Sequence, residues 1–126
     1  MAVPEGGAGR LAAVVALGPG ARPGAAQRAM FAIWAAVSLI RTVTVVDGDV
    51  DPWDHREVEW ARTAYAPPDR DLLIVPGAAA DRAEPLELRG RVAKLGIDAT
   101  RKDADRDAAP PVEAMAAARR RVAGLW

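Results

Sequence analysis

Three short apolar runs, none alternating with polar residues, set the tightest limit on what this chain folds into. They are residues 11–17 (LAAVVAL), 42–46 (TVTVV) and 71–75 (DLLIV). Each is too short for a typical helix, and the second is strongly β-branched. A strand with no polar face must be covered on both sides, as in sheets flanked by helices. Between the runs lie stretches of helical spacing. Strand alternating with helix predicts an α/β fold: one domain, with a mostly parallel sheet of about four strands flanked by helices. Residues 93–99 (AKLGIDA) supply the fourth and weakest strand.

The punctuation fits this reading. Residues 18–24 (GPGARPG) form a loop, and a helix starts at Ala25. A second helix is expected with Asp51 as N-cap, Pro52 at its first position and Asp54 in its first turn. Glu59 and Arg62 are spaced to pair on its outer face, and Pro67-Pro68 ends it. Residues 76–91 have no period and are expected to be a long irregular connection. Residues 100–111 read as a charged loop, and 112–125 as a terminal helix. Residues 1–10 are expected to be loose, leaving 11–126 as the domain.

One stretch is apolar all round. Residues 29–40 (AMFAIWAAVSLI) contain a single polar side chain, Ser38. A span across a bilayer needs roughly 20 such residues, so a membrane helix is not indicated. A surface helix would carry a polar face. This one is therefore expected to be covered twice, by the sheet and by something else. Met30, Phe31, Ile33, Trp34 and Val37 mark the expected interface with a partner subunit. The rival cover is the domain's own terminal helix.

Composition removes several function classes. The chain of 126 residues carries 17 basic and 17 acidic side chains, so no excess charge points to nucleic acid or a membrane surface. The run Arg119, Arg120, Arg121 sits at a helix end, where cations suit the dipole, and reads as a solvated face. There is no cysteine, which rules out disulfides, thiolate zinc sites and a cysteine nucleophile. No apolar stretch behind a charged start marks a signal peptide, so the expected compartment is the cytoplasm.

The search for chemistry yields weak candidates. The 18–24 loop lies where phosphate loops lie, before a helix N-terminus. Gly18 and Gly20 fit the dinucleotide spacing, but Pro23 replaces its third glycine. Asp47, Asp49 and Asp51, with Asp54, are the densest acidic cluster. Alternating carboxylates are the ligand type for Mg²⁺ or Ca²⁺, although EF-hand spacing is not met. His55 is the only histidine and Ser38 the only serine, and neither has triad neighbours in sequence.

Four blocks, in order, resemble the C-terminal domain of UbiD-type decarboxylases. They are PGAAQRAM from Pro23, VTVVDGDVDPWDHREVEWA from Val43, DRDLLIVPG from Asp69 and KLGIDAT from Lys94. Together they cover residues 12–101, and their combination is what makes the resemblance specific. It implies an enzyme that reversibly decarboxylates aromatic or α,β-unsaturated acids with prenylated FMN, a divalent metal (typically manganese) and potassium at the cofactor phosphate. The substrate-handling Arg and two Glu of such enzymes belong to a larger, preceding domain. The start at Met1, close before the first matched strand, leads to the expectation of a separately encoded small subunit. It would have no catalytic residue and bind no cofactor alone. Its partner would be a UbiD-like large subunit, itself, or both. The family's phosphate-holding lysine after the first strand is missing, and Arg22 is the candidate cation in its place. Two other readings stand beside this one. One is a stand-alone homo-oligomeric binding or regulatory module that keeps the fold without the reaction. The other is a small independent enzyme using the acidic cluster and His55.

Overall fold

The computed structural model describes residues 1–3, 11–102 and 112–124. Seven elements follow in order: β1 (Ala12–Ala16), α1 (Ala25–Ala36), β2 (Thr42–Val46), α2 (His55–Tyr65), β3 (Leu72–Ala79), β4 (Arg91–Ala99) and α3 (Val112–Ala123). They build a single four-stranded sheet in the order β1-β2-β4-β3. β1, β2 and β4 are parallel, and β3 is antiparallel to β4. The α/β class, the strand number and the mostly parallel sheet agree with expectation.

β1 and β2 lack polar alternation because both their faces are covered, whereas the edge strand β3 departs from the expected double cover and leaves Leu72 and Ile74 exposed on one face. On one face Val14, Val46, Ile97 and Ala99 pack with Val58 and Ala61 of α2. On the other, Ala13, Val43 and Val45 pack with Ala26 and Met30 of α1. Adjacent strand residues point to opposite faces, so the apolar runs of β1 and β2 feed both layers, while β3 contributes Leu73 to the α1 side. Gly96 on β4 lets α1 approach closely, since a Cβ there would run into the Met30 side chain.

Several boundaries differ from the sequence reading. β3 does not stop at Pro76-Gly77. It bulges between Val75 and Ala78, with Gly77 at φ 65°, and resumes pairing through Ala79. Proline is tolerated there because β3 is an edge strand whose outer N–H groups need no partner. The expected irregular connection over 76–91 therefore shrinks to 80–90. α1 ends at Ala36 rather than Ile40, because Val37 is extended (φ −132°, ψ 95°). Ser38 thus lies in the following turn, not mid-helix. α2 is capped by Asp54, whose side chain accepts from Arg56 N, and not by Asp51. Asp51 serves the preceding turn, accepting from Trp53 N at 2.9 Å, so Pro52 stands outside the helix. Glu59 and Arg62 pair as expected, at 2.5 Å.

Ala2, in the segment expected to be loose, is buried and exchanges two backbone hydrogen bonds with Val14, at 2.6 and 2.8 Å. The rest of that segment, residues 4–10, and most of the 100–111 loop lie outside the described residues. α3 meets α2, with the Arg119 guanidinium 5.3 Å from the Trp60 ring. Among the described residues it does not provide the second cover for α1. No helix among them is long and apolar enough to cross a membrane.

Candidate functional site at the carboxyl ends of the strands

Parallel strands that enter a sheet side by side deliver their following loops to one end, and open α/β sheets place ligands there. Here the loops after β1, β2 and β4 surround an open cleft of about 1180 Å³. Because β3 runs the other way, its first turn reaches the same end, and Asp71 joins the lining.

The wall after β1 is the 18–24 loop. Gly20 (φ 75°) and Gly24 (φ 86°) take left-handed conformations that let the chain turn into α1. Gly24 caps that helix without a side-chain bond, and no acidic residue stands in the first turn. The leading amides of α1 thus carry the helix's partial positive charge uncompensated by a side chain. Arg22 is exposed on the same wall. The wall after β2 closes against it: a Cβ at Gly48 would collide with the Leu17 carbonyl oxygen, so only glycine fits.

The third wall is a network of opposite charges. Arg101 follows β4. Its backbone N–H donates to Asp47 at 2.9 Å, and its Nη2 donates to both oxygens of Asp49 at 2.6 and 2.5 Å. Its guanidinium also stacks 5.7 Å from the Tyr65 ring. Lys102 donates to the Tyr65 and Asp98 carbonyls at 2.9 and 2.7 Å, and pairs with Asp71 at 3.3 Å and Asp98 at 3.5 Å. Asp98 in turn accepts from the backbone and hydroxyl of Thr100. Four carboxylates thus hold two cations, which leaves this wall with an excess of negative charge.

This arrangement sorts the sequence candidates. Asp47 and Asp49 do come to the cleft, but tied to Arg101. Asp51 sits apart in its turn. Among the described residues no three carboxylates or imidazoles gather as ligands for one ion. His55 and Ser38 are not brought together: His55 borders a separate hollow between α2 and α3, lined also by Trp60 and Arg119. Ser38 instead donates to Asp81 at 2.6 Å. Of the expected interface residues, Met30 is buried in the domain's own core, because it fills the space over Gly96. Phe31 is 52% exposed, while Ile33, Trp34 and Val37 are half-buried beneath it. Sequence reading missed Arg101, Lys102, Asp71 and Asp98 as site residues. The available signal was two cations directly after a buried strand whose carboxyl end faces an acidic loop.

On the wall after β1 the cleft presents the α1 N-terminus, which has no side-chain cap, with Arg22 beside it, and the aspartates line the other walls. The helix amides and Arg22 fit a phosphate in kind. Prenylated FMN, which the resemblance implies, carries such a phosphate, and its ring system supplies the electron sink for decarboxylation.

Comparison with known proteins agrees with this geometry. A sequence model of the 3-octaprenyl-4-hydroxybenzoate carboxy-lyase C-terminal domain matches residues 1–99. A protein of Archaeoglobus fulgidus is 40% identical over 111 residues, which are 82% of this chain and 23% of that protein. Anhydromevalonate phosphate decarboxylase of Aeropyrum pernix is 40% identical over 78 residues, 62% of this chain and 18% of the enzyme. The UbiD-class enzyme HmfF from Pelotomaculum thermopropionicum, solved with FMN, superposes with a TM-score of 0.72 at 34% identity. That match covers 86% of this chain and 23% of HmfF. The chain thus spans about a quarter, or less, of the length of the relatives it matches. From its residues, its sheet and these matches, the chain belongs to the 3-octaprenyl-4-hydroxybenzoate carboxy-lyase (UbiD) C-terminal domain family.

Proposed function

We propose that this chain is a small, non-catalytic subunit that completes a UbiD-type decarboxylase acting on aromatic or α,β-unsaturated acids. It supplies the C-terminal domain in trans to a cytoplasmic large subunit, which carries prenylated FMN with its manganese and potassium. The observation that carries the reading is the match, over 86% of this chain, to about a quarter of an FMN-bound UbiD-class enzyme, beside the family model of the carboxy-lyase C-terminal domain. The charge balance of the cleft supports it. Arg101 and Lys102 are occupied by carboxylates, which makes that wall scaffold rather than machinery. Arg22 and the α1 amides are the groups on this chain that face an anion held by a partner. The large subunit packs on the outer face of α1, where Phe31 stands edge-on to Trp34 at 5.4 Å.

The test is co-expression with the UbiD-like large subunit of the same genome. The two chains are expected to co-purify, and decarboxylation with prenylated FMN is expected to depend on both. If they separate, and activity is the same without this chain, the proposal fails. A stable homo-oligomer with no affinity for the large subunit would favour the stand-alone module instead.

A further inference from the structure

Residues 80–90 connect β3 to β4 at the end of the sheet opposite the cleft, beside the last turn of α1. This segment is held unusually firmly for a loop. Glu84 is buried, and its Oε1 accepts from Arg41 at 2.7 Å and from Leu86 N at 3.0 Å. Asp81 accepts from Ser38 Oγ at 2.6 Å and from Ala83 N at 3.0 Å. Glu87 caps Gly90 N at 2.6 Å. A two-residue turn closes it, with Leu88 and Arg91 exchanging backbone bonds at 2.9 and 3.1 Å. Arg89 (φ 56°) and Gly90 (φ 75°) are both left-handed in that turn. Such turns favour Asn or Asp before Gly, so an arginine with positive φ is a strained choice.

This rigid frame displays apolar surface. Leu86 is 66% exposed and Leu88 is 75% exposed. Around them stand the exposed side chains of Arg82, Arg89 and Arg91, against the single exposed carboxylate of Glu87, which is already bonded to Gly90. A fixed conformation removes the ordering cost that usually weakens loop binding. Two apolar side chains inside a charged rim have the layout of an interface, with an apolar centre and a polar edge. The Ser38–Asp81 and Arg41–Glu84 bonds join the segment to the turn after α1, so it continues the α1 face.

We propose that the 81–91 segment is a preformed docking arm for the large subunit. Leu86 and Leu88 enter an apolar groove on that subunit, and carboxylates on the groove's rim meet Arg82 and Arg89. The charge argument selects this occupant over a second copy, whose matching patch would bring the same excess of Arg82, Arg89 and Arg91 over Glu87. The inference rests on the small-subunit reading above.

The test measures affinity of the full chain for the co-expressed large subunit. Leu86→Asp/Leu88→Asp is expected to weaken binding at least about thirtyfold, the scale of hot-spot removal. Arg82→Glu/Arg89→Glu is expected to slow association and reverse the sign of its dependence on salt, because repulsion from the acidic rim replaces attraction. Leu86→Ser/Leu88→Ser, with an unchanged melting temperature, separates lost docking from lost folding. Wild-type affinity in the leucine variants overturns the proposal while leaving the small-subunit reading intact. Unaltered salt dependence in the arginine variant overturns the acidic rim. If the leucine change alters only this chain's own mass by light scattering, the arm joins copies and the proposal is wrong. Failure of the wild-type pair to associate removes both readings together.

Discussion

Glu84→Ala should be among the most costly single changes outside the apolar core. The Glu84 side chain is 1% exposed, and its Oε1 serves both the Arg41 guanidinium and the Leu86 amide. Truncation removes a charge-assisted bond, worth about 1.5–3 kcal/mol, and strands an amide at about 1 kcal/mol. Arg41 is a quarter exposed and regains water, so the lower end of its range applies. Buried Lys94 also loses a nearby opposite charge, one of the influences raising its pKa against the desolvation that lowers it. Against these stands relief of Glu84 Oε2, which is buried without a partner. The balance is about 2–3 kcal/mol, or roughly 10 °C in melting temperature for a domain of this size. Glu84→Gln keeps an acceptor for Arg41 and Leu86, and should cost less than half as much. Thermal unfolding by calorimetry reads both values, and hydrogen exchange should show residues 80–90 opening first in the alanine variant. Equal stability of Glu84→Ala and wild type would refute the bond-by-bond reasoning. A glutamine variant as unstable as alanine would show that charge, not bonding, holds the arm.

Gly96→Ala should destabilise by about 1–3 kcal/mol through collision with Met30, and Met30→Ala should cost about 2–5 kcal/mol. In the double variant, measured by urea unfolding, the combined loss should fall well short of the sum, because the smaller side chain makes room. Asp54→Ala should cost about 1 kcal/mol as the loss of the α2 cap, and Asp51→Ala less, reversing the order that sequence alone assigns. Asp81 has a pKa lowered from 3.8, chiefly by the Ser38 hydroxyl and then by the Ala83 amide. Its contribution to stability is complete above 3.8 and is lost as the pH falls below that value. The stability gap between wild type and Ser38→Ala should therefore narrow in denaturation series taken from pH 5 down to pH 3.

The layered fold was legible because residues 42–46 and 11–17 have no polar side for solvent. Length and β-branching then left strands as the simplest reading. Boundaries failed where distant contacts decide them. α1 stops four residues early although Val37, Leu39 and Ile40 continue the apolar pattern. Lys94, 54 and 56 residues away, takes the Ile40 and Ser38 carbonyls, and Asp81 takes the Ser38 hydroxyl. None of that is visible from local spacing. Pro76-Gly77 read as a stop because proline ends interior strands, and only the sheet order shows β3 to be an edge. Asp47 and Asp49 were named for their place after a strand and Arg22 as the cation in place of the lysine the resemblance expects, and all three lie on the cleft lining. Arg101 and Lys102 were lost among ordinary loop charges, since the partners that give them meaning lie up to 54 residues away.

The two ends of the sheet make opposite use of charge, and this bears on what the domain is for. At the carboxyl end, Arg101 and Lys102 are drawn onto Asp47, Asp49, Asp71 and Asp98. Cations held in this way are poor candidates for a substrate carboxylate, because such a ligand must first displace them. Among the described residues, the positive groups there that no carboxylate holds in an ion pair are the α1 N-terminus and Arg22. At the other end, Glu84, Asp81 and Lys94 spend their charge inward, on Arg41, Ser38 and backbone carbonyls, and so fix a loop that shows leucine and arginine outward. An isolated enzyme has reason to do the reverse, keeping charge available in its cleft and apolar side chains covered. A domain that ties up the cations of its cleft and stiffens its apolar projections has the charge layout that the proposed small-subunit role calls for.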